Sequence, residues 1–399
     1  MHRDIDHLEW PFLEERHRQL ANHLESWAAA QQIPELAEHF PSRATTDAAC
    51  RKLVRSLGEA GFLGLCVDSG KAESGGFDCR SICVARETLA KHHALFDFAF
   101  AMQGLGSGPI SLAGTPHQRH RYLRDVATGK RIAAFALSEP GAGSDVGSMT
   151  CTAERSGDGY VLDGEKTWIS NGGIADFYVV FARLPGTRRS EGICAFIVDA
   201  ESNGFEVAER IDVMSPHPLA RLRMSNCYVP AAQRLSEEGA GFKLAMQTLD
   251  IFRTSVASAA LGFARSAYEA AVHRVTTRSM FGTTLGAMQI TQAKIAEMVC
   301  SIDASALLIY RAAWLKDQGR RVTREAAIAK LVATESAQAV IDAAVQIHGG
   351  EGVHVGSKVE RLYRDIRSLR IYEGATEVQQ LIIGNDVIKA AKAEAGDQP

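Results

Sequence analysis

The chain has 399 residues, 46% hydrophobic and 23% charged, with a formal net charge of -3. That is ordinary globular composition, long enough for two or three domains, and the lack of any long Lys/Arg block excludes the electrostatic footprint of a nucleic-acid or anionic-membrane binder. The eight cysteines form no C-x-x-C pair and no cluster with histidine at metal spacing, so they read as reduced, mostly buried thiols, and no metal site is expected. With Asp4, Asp6, Glu9, Glu14 and Glu15 the start lacks the cationic, then apolar, pattern of a secretory signal and is too acidic for a mitochondrial transit peptide, so neither is expected. No apolar stretch is expected to approach the ~20 residues of a membrane span, and the simplest expectation is a cytoplasmic enzyme.

Residues 1–130 read as a helical domain, with apolar residues recurring at helical spacing in Leu53, Leu57, Phe62 and in Ile82, Val84, Leu89. Cys79 and Cys83, four apart on one predicted helix, read as packing residues. The stretch 95–106 is bulky at Phe96, Phe98, Phe100 and Met102, with Asp97 expected to be exposed. Gly104-Leu105-Gly106-Ser107-Gly108 superficially looks like a phosphate loop, but it follows a helical aromatic run and is expected to be a helix terminus or bend. Residues 131–238 change character: short β-type runs at 177–181 and 194–198 alternate with Ser-Gly-Asp-Gly and Asp-Gly turns, predicting a compact β domain. Residues 239–399 return to long helical periods over 242–275, 289–316, 323–347 and 376–393, which predict a four-helix bundle. Helices, β domain, then helices is an α+β architecture.

Two segments of the β domain carry chemistry. Residues 135–145, Phe-Ala-Leu-Ser-Glu-Pro-Gly-Ala-Gly-Ser-Asp, run from a strand into a Pro/Gly turn lined with hydroxyls. Glycines allow close backbone approach and serines donate or accept, which suits a polar ring edge or a phosphate; an ordinary surface turn fits equally well. Residues 164–172, Gly-Glu-Lys-Thr-Trp-Ile-Ser-Asn-Gly, alternate so that Thr167, Ile169 and Asn171 face one side and Trp168 and Ser170 the other. An indole and a hydroxyl on one face can stack on a flavin ring and hydrogen-bond its nitrogen, although a tryptophan here also fits the core or an interface.

Together with Ile371-Tyr372-Glu373-Gly374-Ala375-Thr376-Glu377, about two hundred residues further on, these segments resemble the ordered signatures of the acyl-CoA dehydrogenase family. The resemblance extends over essentially the whole chain. It implies N-terminal helices, a central β-barrel or sandwich domain and a C-terminal four-helix bundle, with FAD as cofactor. By resemblance Phe135, Leu137, Ser138, Gly143, Ser144, Trp168, Ile169 and Ser170 contact the flavin, and Ser144 also meets the CoA portion of the substrate. The family sandwiches FAD across a dimer interface, and dimers commonly pair into tetramers. Arg278, Phe281 and Gln289 resemble the segment reaching a partner's FAD pyrophosphate, which an arginine fork suits on chemical grounds as well. Gln346, Gly349 and Gly350 resemble the adenine-side contact, and Thr376 and Glu377 complete the cofactor set. Ser279, Met280 and Ala375 depart from the family's usual residues, so those positions are left out of it.

The resemblance makes Glu373 the base that removes the α-proton of an acyl-CoA thioester, with hydride passing from the β-carbon to flavin. A weakly acidic α-hydrogen needs a positioned base, and burial should raise that base's pKa toward neutrality. Gly374, Asp250 and Arg253 match positions near the base and the CoA chain, although a solvated helix face is the other reading of Asp250 and Arg253. Asp250 is also the other candidate base, with a shorter side chain and a less complete motif. Phe96 and Phe100 either line the acyl pocket or form helix core. If they line the pocket, they favour short, branched or alicyclic acyl groups. Asp97 is a candidate for a second proton transfer on a ring substrate. The resemblance suggests an electron-transferring flavoprotein as acceptor and a homodimer or homotetramer. The competing readings are a same-fold flavin oxidase or monooxygenase, and a catalytically silent CoA-thioester-binding protein.

Overall fold

A computed structural model of the chain describes residues 7–33, 41–67 and 76–394; Asp4 and Asp6 lie outside them. Five helices come first: α1 (Glu15–Ala30), α2 (Arg43–Glu59), α3 (Cys79–His92), α4 (Ala94–Ala113) and α5 (Pro116–Ala127). Eight strands follow: β1 (Ala133–Ala136), β2 (Thr152–Ser156), β3 (Gly159–Ser170), β4 (Phe177–Arg183), β5 (Ile193–Asp199), β6 (Phe205–Arg210), β7 (Leu219–Pro230) and β8 (Arg234–Leu235). The remainder is α6 (Gly241–Thr277), a small hairpin of β9 (Ser279–Met280) and β10 (Thr283–Thr284), then α7 (Gln289–Asp317), α8 (Thr323–His348), α9 (Lys358–Leu369) and α10 (Thr376–Glu394). The four long predicted helices are α6, α7, α8 and α10. The short α9, whose Val359, Leu362, Ile366 and Leu369 are buried, was not among the expected elements.

The chain divides into two compact units, 1–31 with 79–97 and 253–399, and 32–78 with 98–252. In the second unit the sheet runs β6-β7-β3-β2-β4-β5-β8, with β1 pairing β4 in parallel. The runs expected at 177–181 and 194–198 are the centres of β4 and β5, which pair antiparallel and are buried at almost every position because both faces are covered. Phe177, Val179, Phe181, Ala195 and Ile197 form one core with Ile110, Tyr122 and Val126 of α4 and α5 and Leu244 of α6. The glycine run at 104–108 lies inside α4, not at a terminus or bend. A Cβ on Gly106 would stand 2.6 Å from the carbonyl carbon of Ala133, and one on Gly108 would stand 2.9 Å from Thr248, so these glycines let α4 approach its neighbours closely.

In the first unit α8 packs against α7, α9 and α10, while α3 packs on α1 and α7. All eight cysteines are free, and only Cys300 is exposed. Among the described residues one helix, α7, is long and apolar enough to cross a membrane by length and composition, which corrects the expectation that no stretch would reach that length. Half of its apolar window is buried within the fold, on a helix that packs against α3 and α8.

Candidate active site

Each unit holds its own group of candidate residues. In the second unit the turn after β1 is fastened to β3. Thr167 donates its backbone N–H to the Ser138 carbonyl at 2.9 Å, and the buried Lys166 ammonium donates to the Leu137 carbonyl at 3.0 Å and to Glu139 at 2.8 Å. Glu139 also accepts from the Thr150 and Cys151 amides at 2.6 and 3.0 Å. Burial pushes its carboxyl up, but Lys166 and those amides override it and hold the group below its ordinary value. Just past the end of β3, Asn171 Nδ2 donates to the Ala133 carbonyl at 2.9 Å.

The expected alternation holds in β3: Thr167, Ile169 and Asn171 are buried, Ser170 is half-buried, and Trp168 is 60% exposed. A register shift between Lys166 and Ile169 accompanies a left-handed Trp168, φ 58°. Such a bulge re-aims a side chain at a strained backbone position, a pattern common beside functional sites. Gly143 and Ser144 are exposed, and a Cβ on Gly141 or Gly143 would meet nothing within 4 Å. Phe135 packs on Phe181 and Leu137 is buried, so these two and Ile169 offer backbone rather than side chain. An exposed indole beside a hydroxyl-lined glycine turn fits a planar, polar-edged ring. Phe100 is fully buried in this unit, and Asp250 is half-buried.

In the first unit the site is built around residues 370–376, which join α9 to α10. Glu373 and Gly374 are both left-handed, φ 51° and 94°. The Gly374 carbonyl accepts from Lys330 Nζ at 2.7 Å and Gln379 Nε2 at 2.8 Å, and the Glu373 carbonyl accepts from Arg253 Nε at 3.5 Å. Glu373 as a residue is half-buried, but its buried Oε2 has no hydrogen-bond partner among the described residues. Burial raises its carboxyl above the ordinary carboxylate value, against the opposing charges of Arg86, Lys330 and Arg253.

Arg86, 1% exposed on α3, pairs bidentately with Asp97 at 2.7 and 2.8 Å and donates to Ser255 at 3.0 Å. Its charge also bears on Tyr372 and Glu373. Asp97 is therefore not exposed, as its sequence setting suggested. At 4% exposure its carboxylate is taken out of water by the arginine of a neighbouring helix. Phe96 packs edge-on to Trp27, with ring centroids 5.8 Å apart.

The remaining cofactor candidates of this unit are surface residues. Arg278, Phe281 and Gln289 are exposed around the β9–β10 hairpin, and Gln346, Gly349 and Gly350 are exposed at the end of α8. A hydrogen bond of 3.3 Å from Arg274 to the His348 carbonyl ties these two segments together. Glu377 is exposed, and the Thr376 hydroxyl donates to Glu335 at 2.6 Å. Arg86, Lys330 and Gln379 were missed by sequence reasoning. For Lys330 there was a signal: a lone cation among Ala326, Ala327, Ala329 and Ala333, all on the buried side of α8.

Three family models cover almost the whole chain: the acyl-CoA dehydrogenase N-terminal domain matches 14–130, the middle domain 134–227 and the C-terminal domain 239–388. The chain belongs to the acyl-CoA dehydrogenase family. It is 35% identical to the mitochondrial short-chain specific acyl-CoA dehydrogenase of Mus musculus, over 96% of this chain and 92% of that one. It is 37% identical to subunit CarC of the caffeyl-CoA reductase–Etf complex of Acetobacterium woodii, over 85% of this chain and 90% of that one. Its structure is similar to that of an acyl-CoA dehydrogenase complexed with FAD from Bacillus anthracis, with TM-score 0.88, 29% identity and coverage of 99% and 71% of the two chains. The acyl-CoA dehydrogenase family comprises oxidoreductases acting on CH–CH donors, and the α+β architecture expected from the sequence is that of this family.

Proposed function

We propose that this acyl-CoA dehydrogenase forms 2-enoyl thioesters from short acyl-CoA substrates, with Glu373 removing the α-proton. The observation that carries the reading is the buried, unpartnered Glu373 Oε2 on a carboxyl whose pKa is raised by burial. A carboxylate whose proton affinity is raised by burial is a stronger acceptor for a weakly acidic proton. FAD is the cofactor the family implies, and when bound it supplies the two-electron acceptor for hydride leaving the β-carbon. Backbone groups at Leu137 and Ser138 would hold the ring's polar edge, Trp168 and Ser170 would cover it, and Gly143 and Ser144 would approach the phosphates and CoA. The backbone N–H of Glu373 would hold the thioester carbonyl, where negative charge develops as the proton leaves.

The resemblance to a short-chain specific enzyme supports a short acyl group. The CarC relative supports an electron-transferring flavoprotein as partner, and the proposed dehydrogenation makes that partner the electron acceptor. A homodimer or homotetramer, in which the exposed Arg278 and Gln346 segments meet a partner's cofactor, completes the reading.

Anaerobic titration of the flavin-replete protein with short, long, branched and cyclohexane-carboxyl thioesters tests it. Short thioesters should bleach the flavin band fastest, and Glu373→Gln should slow bleaching by about 10²–10⁴-fold. Bleaching by no thioester would remove the dehydrogenase reading, and undiminished bleaching in Glu373→Gln would remove the base.

A further inference from the structure

We propose that Lys330 is a positioning residue for Glu373: its buried ammonium holds the Gly374 carbonyl and so fixes the left-handed turn that carries the base. The inference rests on Glu373 as the base and adds a residue to its machinery.

Lys330 is 0% exposed on α8, between buried alanines, and its ammonium lies 2.7 Å from the Gly374 oxygen. Among the described residues no carboxylate lies within ion-pair distance of it. Burying an ammonium without a paired carboxylate is among the most unfavourable substitutions a helix core accepts. Burial accordingly lowers its pKa to about 8, while the charges of Glu373, Glu335 and Glu377 act to raise it and that of Arg253 to lower it.

What the ammonium holds is itself strained. Glu373 is a non-glycine residue in left-handed conformation, followed by a second left-handed residue, Gly374. Such a position is strained and persists only when its surroundings over-determine it. The surroundings here are three side chains from three helices: Lys330 of α8, Gln379 of α10 and Arg253 of α6. Gln379 is fully buried as well. With the turn held through its carbonyls, the Glu373 carboxylate keeps one oxygen free of partners. Lys330 is the only one of the three that also joins a full charge to the Gly374 carbonyl, and that charge favours the ionised form of Glu373. The other charged groups acting on Glu373 are Arg86 of α3, Arg253 and Asp97.

The test compares Lys330→Met, which keeps the aliphatic stem but removes donor and charge, with Lys330→Gln, which keeps a donor. Glu373→Gln runs beside them. In Lys330→Met kcat should fall by up to about 100-fold with KM little changed, since a misplaced base loses rate before affinity. The acid limb of the kcat/KM profile should move to higher pH in both Lys330 variants, because a neighbouring cation is gone. Amide hydrogen exchange over 371–376 should rise in Lys330→Met and much less in Lys330→Gln, a readout that needs no activity. The midpoint of thermal unfolding at neutral pH should not fall, since the variant removes a buried charge. Wild-type kcat, acid limb and exchange in Lys330→Met would overturn the proposal. A lowered midpoint with exchange raised uniformly along the chain would do so too, by making Lys330 a packing residue. Undiminished turnover in Glu373→Gln would instead remove the base, and exchange would then still report whether Lys330 holds the turn.

Discussion

Asp97 and Arg86 show how one buried ion pair can set the working pH of a third group. Arg86 opposes the rise of the Glu373 pKa and Asp97 reinforces it, so the pair presents the base with a largely neutralised cation. Replacing Asp97 with Asn leaves the guanidinium uncompensated. The Glu373 carboxyl is then easier to ionise, and the acid limb of kcat/KM, which requires the ionised base, should move to lower pH. Breaking a buried pair on one side costs about 3–5 kcal/mol, so the midpoint of chemical unfolding should fall as well. An acid limb that stays in place while stability falls would confine Asp97 to packing. Both Asp97 oxygens are engaged by Arg86, which explains why its sequence setting misled: nothing in the run Leu95–Phe100 announces an arginine eleven residues earlier on another helix. Glu373 itself was legible, because its neighbours Tyr372 and Gly374 belong to an ordered motif. Of the device around it only Arg253 was, by the resemblance; Arg86 and Lys330 were not, since they come from two other, separated helices.

At the level of elements, helical periods gave the bounds of α6, α7, α8 and α10 to within two residues, because long amphipathic runs and their caps are local properties. The alternation of β3 was legible for the same reason, although its bulge was not. What close approach α4 makes is tertiary and left only a trace, the glycines at 104, 106 and 108. Their spacing reads as a helix terminus or bend and does not announce a neighbour's close approach. The structure puts a neighbour at each: the β1 backbone at Gly106, and the side chains of Phe252 and Thr248 on α6 at Gly104 and Gly108. Gly106→Ala would place a Cβ 2.6–2.7 Å from the Ala133–Ala134 backbone, and backbone cannot yield as a side-chain tip can. Helix propensity alone would favour alanine by roughly 1 kcal/mol. Overpacking against a strand costs about 1–3 kcal/mol and wins, so the variant should unfold at lower urea concentration than wild type. A gain in stability would mean that α4 and β1 stand further apart than described.

On the scale of the whole molecule, the first unit leaves large apolar side chains in water: Phe281 89% exposed, Ile290 77%, Leu381 65% and Ile388 56%. Single exposed apolar residues need no explanation, but these four fall on the hairpin, the start of α7 and α10, in the unit that also exposes Arg278. Composition cannot reveal such a surface, since 46% hydrophobic content serves a covered face and an exposed one equally. In the proposed assembly Arg278 reaches a partner's FAD, so cofactor affinity and association are linked. Replacing Arg278 with Ala removes a fork suited to a pyrophosphate while leaving every described residue of the Glu373 cluster in place. FAD added to apoprotein should raise the unfolding midpoint of wild type and raise that of Arg278→Ala less. Each tenfold loss of affinity removes about 1.4 kcal/mol of ligand stabilisation at saturating FAD. Dilution of the wild-type protein below its dissociation constant for assembly should release flavin with the same dependence on concentration as the loss of oligomer in sedimentation. Equal FAD stabilisation in the two proteins, or flavin retained by the monomer, would place the cofactor's pyrophosphate contacts within a single chain.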